Sequence, residues 1–206
     1  MCDFYTVMDF ETSDLAKHYN KTINEHGYKD GPYKHIYIYS GAFIIMRIDR
    51  ETKKIINTLE KYIVIKPIRN NKIISVDKSE IHTLTNTYLM NMGVMINEFL
   101  DMASKIIQSS CQFIGHNINY DIGVLIAELS RSDNEYHKSA VKRLSEMSLN
   151  GSYFCTCQHV SLKKSPSKKL ADVYKAYTGK DAENCHNALS DTQMCKEIYM
   201  AMKKIN

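Results

Sequence analysis

Asp9 and Glu11 stand two positions apart in Tyr5-Thr6-Val7-Met8-Asp9-Phe10-Glu11-Thr12, where β-preferring residues run into two acids. Side chains alternate faces along a strand, so both carboxylates lie on one face, their Cα atoms about 7 Å apart. Side by side at the end of a buried strand they repel each other and lose hydration, and a shared cation offsets both costs. Asp121 lies in the first turn of a segment whose apolar residues Ile122, Leu125, Ile126 and Leu129 recur at helical spacing. It is either an ordinary first-turn acid, favoured by the helix N-terminus, or one turned toward a sheet. Asp191 is more telling. At about 100° per residue, Ala188, Thr192, Cys195, Tyr199 and Met202 form one stripe, and Asp191 falls inside it. An acid within an apolar stripe needs a partner. His186, rotated about 140° from Asp191 on any regular helix, must approach from the loop entering that helix. Beside a buried acid it is a candidate general base.

The elements that position these groups follow from periodicity. The segment from His35 to Asp49 reads as one long strand or two short ones, and Ile55–Ile65 as another, stopped by Pro67. With strand 5–10 and its short connections they make an antiparallel three-strand meander. Residues 12–34, with Gly27, Gly31 and Pro32, read as a polar loop that either touches a substrate or is a solvated insertion. Residues 70–82 form a polar connection. A single helix is predicted over about 88–108, with Met92, Met95, Ile96, Phe99, Ala103, Ile106 and Ile107 as its core face. A strand at 111–116, a helix to about 130, a surface helix near 136–147, a strand at 152–156 and helices at 170–177 and 187–204 complete the order. Alternation of strand and helix implies parallel strands added to the meander. The class is therefore α/β, a mixed sheet flanked by helices, and with no linker in the chain residues 1–206 read as a single domain.

Composition narrows the field. At 206 residues and 44% hydrophobic the chain can bury a full core, and its net charge of +4 suits a polyanionic partner without requiring one. No run approaches the roughly 18 apolar residues of a membrane span and no basic-then-apolar leader opens the sequence, so the chain reads as cytoplasmic. The six cysteines have no framework spacing and read as free thiols. Cys155-Thr156-Cys157-Gln158-His159, with Cys185-His186, is an alternative zinc site, although Cys-x-Cys lacks the usual two-residue gap.

Asp9-Phe10-Glu11-Thr12, Gly115-His116-Asn117 with Tyr120-Asp121, and His186-Asn187-Ala188-Leu189 with Asp191 resemble, in order, the three motifs of the DnaQ-like, DEDDh-type 3′–5′ exonucleases. That family contains proofreading epsilon subunits and three-prime repair exonucleases, and the likeness spans nearly the whole chain. It implies a ribonuclease H-like fold, with Asp9, Glu11, Asp121 and Asp191 as metal-binding acids and His186 as general base. By the same resemblance Phe10, Thr12, His116 and Asn117 contact substrate, and His82 and Leu84 match a stretch that packs on the 3′-terminal nucleotide. Two departures stand out: Ser13-Asp14 and a long insertion where the family commonly has Gly, and Tyr120 where Phe is frequent.

Four carboxylates without a soft ligand select hard cations, two Mg²⁺ or Mn²⁺ ions, over zinc. The implied reaction is hydrolysis of phosphodiester bonds at the 3′ end of single-stranded DNA or RNA, releasing nucleoside 5′-monophosphates. Lys163, Lys164, Lys168 and Lys169 either follow backbone phosphates or form a solvated loop. The alternative function is a catalytically silent nucleic-acid-binding or interaction module on the same fold. No surface stripe commits the chain to a homodimer or a polymerase partner.

Overall fold

The computed structural model describes residues 2–14, 32–69, 71–74, 76, 84–161, 164–165 and 167–205. Most of the 12–34 loop, His82 and Lys163 therefore lie outside the described residues. The strands are β1 (Cys2–Thr12), β2 (Ile38–Asp49), β3 (Ile55–Val64), β4 (Ile68–Arg69), β5 (Lys72–Ile73), β6 (Gln112–Gly115) and β7 (Tyr153–Cys155). The helices are α1 (Asn86–Met92), α2 (Ile96–Ser109), α3 (Ile118–Ser130), α4 (Glu135–Leu149), α5 (Leu170–Thr178) and α6 (Ala188–Lys203). No helix among the described residues is long and apolar enough to cross a membrane.

The main sheet is five-stranded in the order β3-β2-β1-β6-β7. β1, β2 and β3 pair antiparallel as the meander predicts, and β6 and β7 add in parallel. Alternation along each strand divides the core in two. Met8, Phe10, Phe43 and Phe113 pack with α2 and α3 on one face. Val7, Ile44, Met46, Ile114 and Phe154 pack with Cys195 and Tyr199 of α6 on the other. α3 is buried nearly all round, from Tyr120 to Leu129, rather than along one stripe, because α4 covers the side turned away from the sheet.

The single helix predicted over 88–108 forms as two. At Gly93 the chain passes so close to β3's exit that a Cβ would sit 2.6 Å from Lys66 N and 2.7 Å from Ile65 C. Val94 then exchanges backbone hydrogen bonds there, donating to Val64 O and accepting from Lys66 N, both at 2.9 Å. These extended contacts win over helix continuation, and Met92 and Met95, predicted as core, are left exposed at the break. The connection predicted over 70–82 opens with a small hairpin, β4 with β5.

The far end of α3 is tied down by charge. Glu128, fully buried, accepts from Arg69 Nη2 at 2.9 Å and from the Ile38 backbone N–H at 3.1 Å. Arg131 Nη1 lies 3.0 Å from its other oxygen, while Arg131 Nη2 donates to Tyr33 O and Lys34 O. One carboxylate thus joins the start of β2, the β4 hairpin and the 33–34 turn to α3.

Candidate active site

Asp9 and Glu11 point from β1 toward α6, as strand alternation requires, and Phe10 points the opposite way. Its ring is buried against Phe43 and Phe99, at centroid distances of 5.6 and 6.0 Å. Opposite it on β2 stands Gly41, where a Cβ would lie 2.9 Å from both the Phe10 and Phe99 rings. This corrects the expectation that Phe10 contacts substrate: its side chain lies on the far face of the sheet.

α6 brings the third acid. Asn187 caps the helix, its side chain accepting from the Leu189 and Ser190 amides, and Asp191 follows in the first turn. Ligand atoms of Asp9, Glu11 and Asp191 lie within 4.8 Å of one another. Asp191 Oδ2 accepts from the His186 backbone N–H at 3.2 Å, while its Oδ1 is buried without a hydrogen-bond partner. His186 stands outside the helix in the left-handed region (φ 64°), exposed, on the loop where the rotation argument places it.

Asp121 arrives from the opposite face through a gap in the sheet. β6 pairs with β1 only as far as Val7 against Ile114, so beyond that point β1's edge has no strand beside it. The first turn of α3 fills the gap, and Asp121 Oδ1 accepts the Phe10 backbone N–H at 3.1 Å. Of the two readings left open by the sequence, Asp121 is thus the inward one, and it is buried.

Burial raises all four acids, and neighbouring carboxylates add to it at Asp9, Glu11 and Asp121. Burial first, then Asp121, Asp191 and Glu11, push Asp9 well above the usual carboxylate range. Burial, with Asp191 beside it, raises Glu11 to about 7. Asp191 rises to about 6 by burial, opposed by the His186 N–H and imidazole. Asp121 is raised by burial and by Glu11 and Asp191 against the hydrogen bond from Phe10. A hard divalent cation fits this donor set: all-oxygen ligands, one buried and partnerless oxygen, and mutual repulsion that a positive charge relieves. Folded carboxyls that hold protons more tightly than unfolded ones stabilise the protein at low pH and lose that contribution as pH rises. The metal-free protein is therefore expected to melt lower at pH 8 than at pH 5, across a window from about 4 to about 7. Adding Mg²⁺ or Mn²⁺ should raise the melting temperature far more at pH 8 than at pH 5, which differential scanning calorimetry reads directly.

The remaining predicted residues are placed as follows. His116 has both ring nitrogens engaged, Nδ1 with Thr156 Oγ1 at 2.9 Å and Nε2 with Lys168 O at 2.7 Å. It fastens the basic segment to the end of β6 rather than presenting a nitrogen to substrate, and burial lowers its basicity. Asn117 enters α3 in the left-handed conformation. Leu84 is buried with Tyr39, Val64 and Leu89. Thr12 is held by Tyr120 and Asp14. Lys164, Lys168 and Lys169 are exposed, with Lys164 Nζ 4.1 Å above the Tyr177 ring. The alternative zinc site does not assemble: among the described residues, Asp9, Glu11 and Asp191 are the group of His, Cys, Asp and Glu close enough to share an ion, with Asp121 outside that group. Cys155 is buried, Cys185 is exposed, and His159 stacks on Phe154. Sequence reasoning noted Tyr120 without assigning it a task and missed Glu128 altogether; an acid deep in an apolar helical run was the available signal for the latter.

A mixed sheet in this order, with Asp9 and Glu11 of β1 and Asp191 of α6 clustered and Asp121 of α3 bonded to the Phe10 amide between the first two, is a ribonuclease H-like fold carrying an acidic site. The chain matches the family model RNase_T, described as exonuclease, over residues 6–199, and it belongs to that family, a DnaQ-like exonuclease. No curated protein matches its sequence. Among solved structures it is similar to Escherichia coli exonuclease I in complex with a dT13 oligonucleotide, at 16% identity and a TM-score of 0.61. That match covers 98% of this chain and 40% of the other. A moderately thermophilic exonuclease I from Methylocaldum szegediense matches at 16% identity and TM-score 0.65, covering 98% of this chain and 40% of that one. A zinc-bound form of the E. coli enzyme with single-stranded DNA matches at 16% identity and TM-score 0.62, with the same coverage. At these identities the likeness is one of fold, and the chain spans about 40% of the length of these structures.

Proposed function

We propose that this chain, as one exonuclease domain, hydrolyses phosphodiester bonds stepwise from the 3′ end of single-stranded nucleic acid. The observation that carries the reading is the cluster of Asp9, Glu11 and Asp191 with a buried, partnerless Asp191 oxygen. Asp9, Glu11, Asp191 and Asp121 would hold two divalent cations, Mg²⁺ or Mn²⁺, whose charge formally balances four ionised carboxylates. When bound, such ions supply activation of water and stabilisation of the leaving oxygen. His186, exposed beside the acids, takes a proton from the attacking water as its oxygen bonds to phosphorus. The P–O3′ bond breaks, and the O3′ alkoxide takes a proton from solvent, leaving a 3′-hydroxyl on the shortened strand and a nucleoside 5′-monophosphate. Lys164, Lys168 and Lys169, exposed on the segment that His116 holds, would follow the backbone phosphates of the strand. The oligonucleotide complexes of the exonuclease I relatives support a single-stranded substrate.

A 5′-labelled single-stranded oligonucleotide tests this in Mg²⁺. A ladder shortening from a free 3′ end and stalling at a blocked one is the expected result. Degradation that ignores the 3′ block overturns the proposed direction, and cutting unchanged by His186→Ala and Asp9→Asn overturns the site. Binding without any cleavage points to the silent module.

A further inference from the structure

Tyr120, the residue before Asp121, does work of its own at the end of β1. Its hydroxyl lies 2.5 Å from Thr12 Oγ1 and 2.6 Å from the Asp14 carbonyl oxygen. Thr12 Oγ1 is itself 3.1 Å from that carbonyl. Two hydroxyl protons can satisfy two of these three contacts at a time: one hydroxyl donates to the Asp14 carbonyl, and the other hydroxyl donates to the oxygen of the first. The ring is buried beside Tyr33, at a centroid distance of 6.1 Å, so the oxygen is held in place by packing.

The contact falls where β1 has least support. On one side the pairing with β6 has already ended at Val7, and on the other the pairing with β2 slips between Glu11 and Thr12. Two adjacent side chains of α3 stand in for the missing strand neighbour. Asp121 takes the Phe10 amide just before Glu11, and Tyr120 takes Thr12 and Asp14 just after it. Glu11 is thereby strung between two anchors on one helical turn. We propose that Tyr120 is a positioning residue: its hydroxyl latches the Thr12–Asp14 turn and so holds the Glu11 carboxylate in register with Asp9 and Asp191. The aromatic ring alone would fill the same space, and the hydroxyl adds the latch.

The activity arm of the test rests on the nuclease reading, and the cation arm does not. In the full chain, Tyr120→Phe removes one oxygen and keeps the ring. Supporting groups of this kind typically change metal affinity or rate by about 10- to 100-fold. The expected result is Mn²⁺ binding weakened about tenfold by isothermal titration, and kcat on a labelled oligonucleotide reduced about tenfold with KM within about twofold. Thr12→Val removes the other hydroxyl and should weaken Mn²⁺ binding equally, with no further loss in the double variant, because both changes open one latch. It also carries the prediction should Tyr120→Phe fail to fold. Unchanged Mn²⁺ affinity in both variants, or fully additive losses, overturns the latch. If the unaltered protein cleaves no nucleic acid, the nuclease reading fails, and the Mn²⁺ titrations still decide the latch.

Discussion

Asp9→Asn is expected to lower nuclease activity by about a thousandfold or more while raising the melting temperature of the metal-free protein. Both effects come from one charge. Asp9 is central to the cluster, flanked by Glu11 on its own strand and facing Asp121 and Asp191, each of which raises its pKa further after burial has done so. Without a cation at neutral pH, these groups either repel or take up protons against the solution, and the neutral isostere removes that cost. A relief of about 1–2 kcal/mol moves the melting temperature of a chain this size by roughly 2–8 °C. With Mg²⁺ present the sign reverses, because the variant loses a ligand and most of its metal-induced stabilisation. Asp191→Asn should behave alike, and the double variant should be little less active than either single one, since the ligands act as a unit. Activity assays, with melting curves of wild type and variant in EDTA and in Mg²⁺, check both effects. A variant that loses activity and is also less stable in EDTA would mean that the acids are structural.

Glu128→Ala should have the opposite profile, a large loss of stability with chemistry spared. The carboxylate is enclosed by Arg69, Arg131 and the Ile38 amide, with Arg69 itself largely buried. Removing one partner of a buried ion pair leaves the other charge uncompensated, at a cost of about 3–5 kcal/mol. The melting temperature should fall by roughly 10 °C, and chemical denaturation should show the same loss. Glu128→Gln keeps an acceptor for Ile38 but not the charge, so it should fall between wild type and Glu128→Ala. Pairing Glu128→Leu with Arg69→Met should recover part of the stability, because a buried ion pair replaced as a whole by apolar groups is often neutral. At a temperature where the variants remain folded, turnover per folded molecule should be close to wild type. A Glu128→Ala protein as stable as wild type would show that the pair contributes nothing.

The contrast between these two acids also explains what was legible in the sequence. Asp9 and Glu11 could be assigned to one face because strand alternation is local, and Asp191 stood out because its helix has a clear stripe. The same periodicity placed His186 off the helix. Phe10 was misassigned through resemblance, although alternation alone sends its ring away from its acidic neighbours. Other features depend on partners distant in sequence. The break at Gly93 exists because β3's exit needs Val94 as a backbone neighbour. His116 looked like a substrate contact until Thr156 and the Lys168 carbonyl took both ring nitrogens. Glu128 and Arg69 pair over 59 positions, and Tyr120 meets Thr12 across 108, so no local pattern announces either. Propensity locates elements, and tertiary hydrogen bonding decides which polar residues are free for chemistry.

In the proposed site Asp9, Glu11, Asp121 and Asp191 hold divalent cations. Crystals soaked in Mn²⁺ and measured at the manganese absorption edge test it most directly. Anomalous peaks are expected among these four carboxylates, at oxygen distances of about 2.0–2.3 Å, with one peak against Asp191 Oδ1, and they should be lost in Asp9→Asn. Manganese bound elsewhere with no peak among these acids, or peaks unchanged in Asp9→Asn, would contradict it.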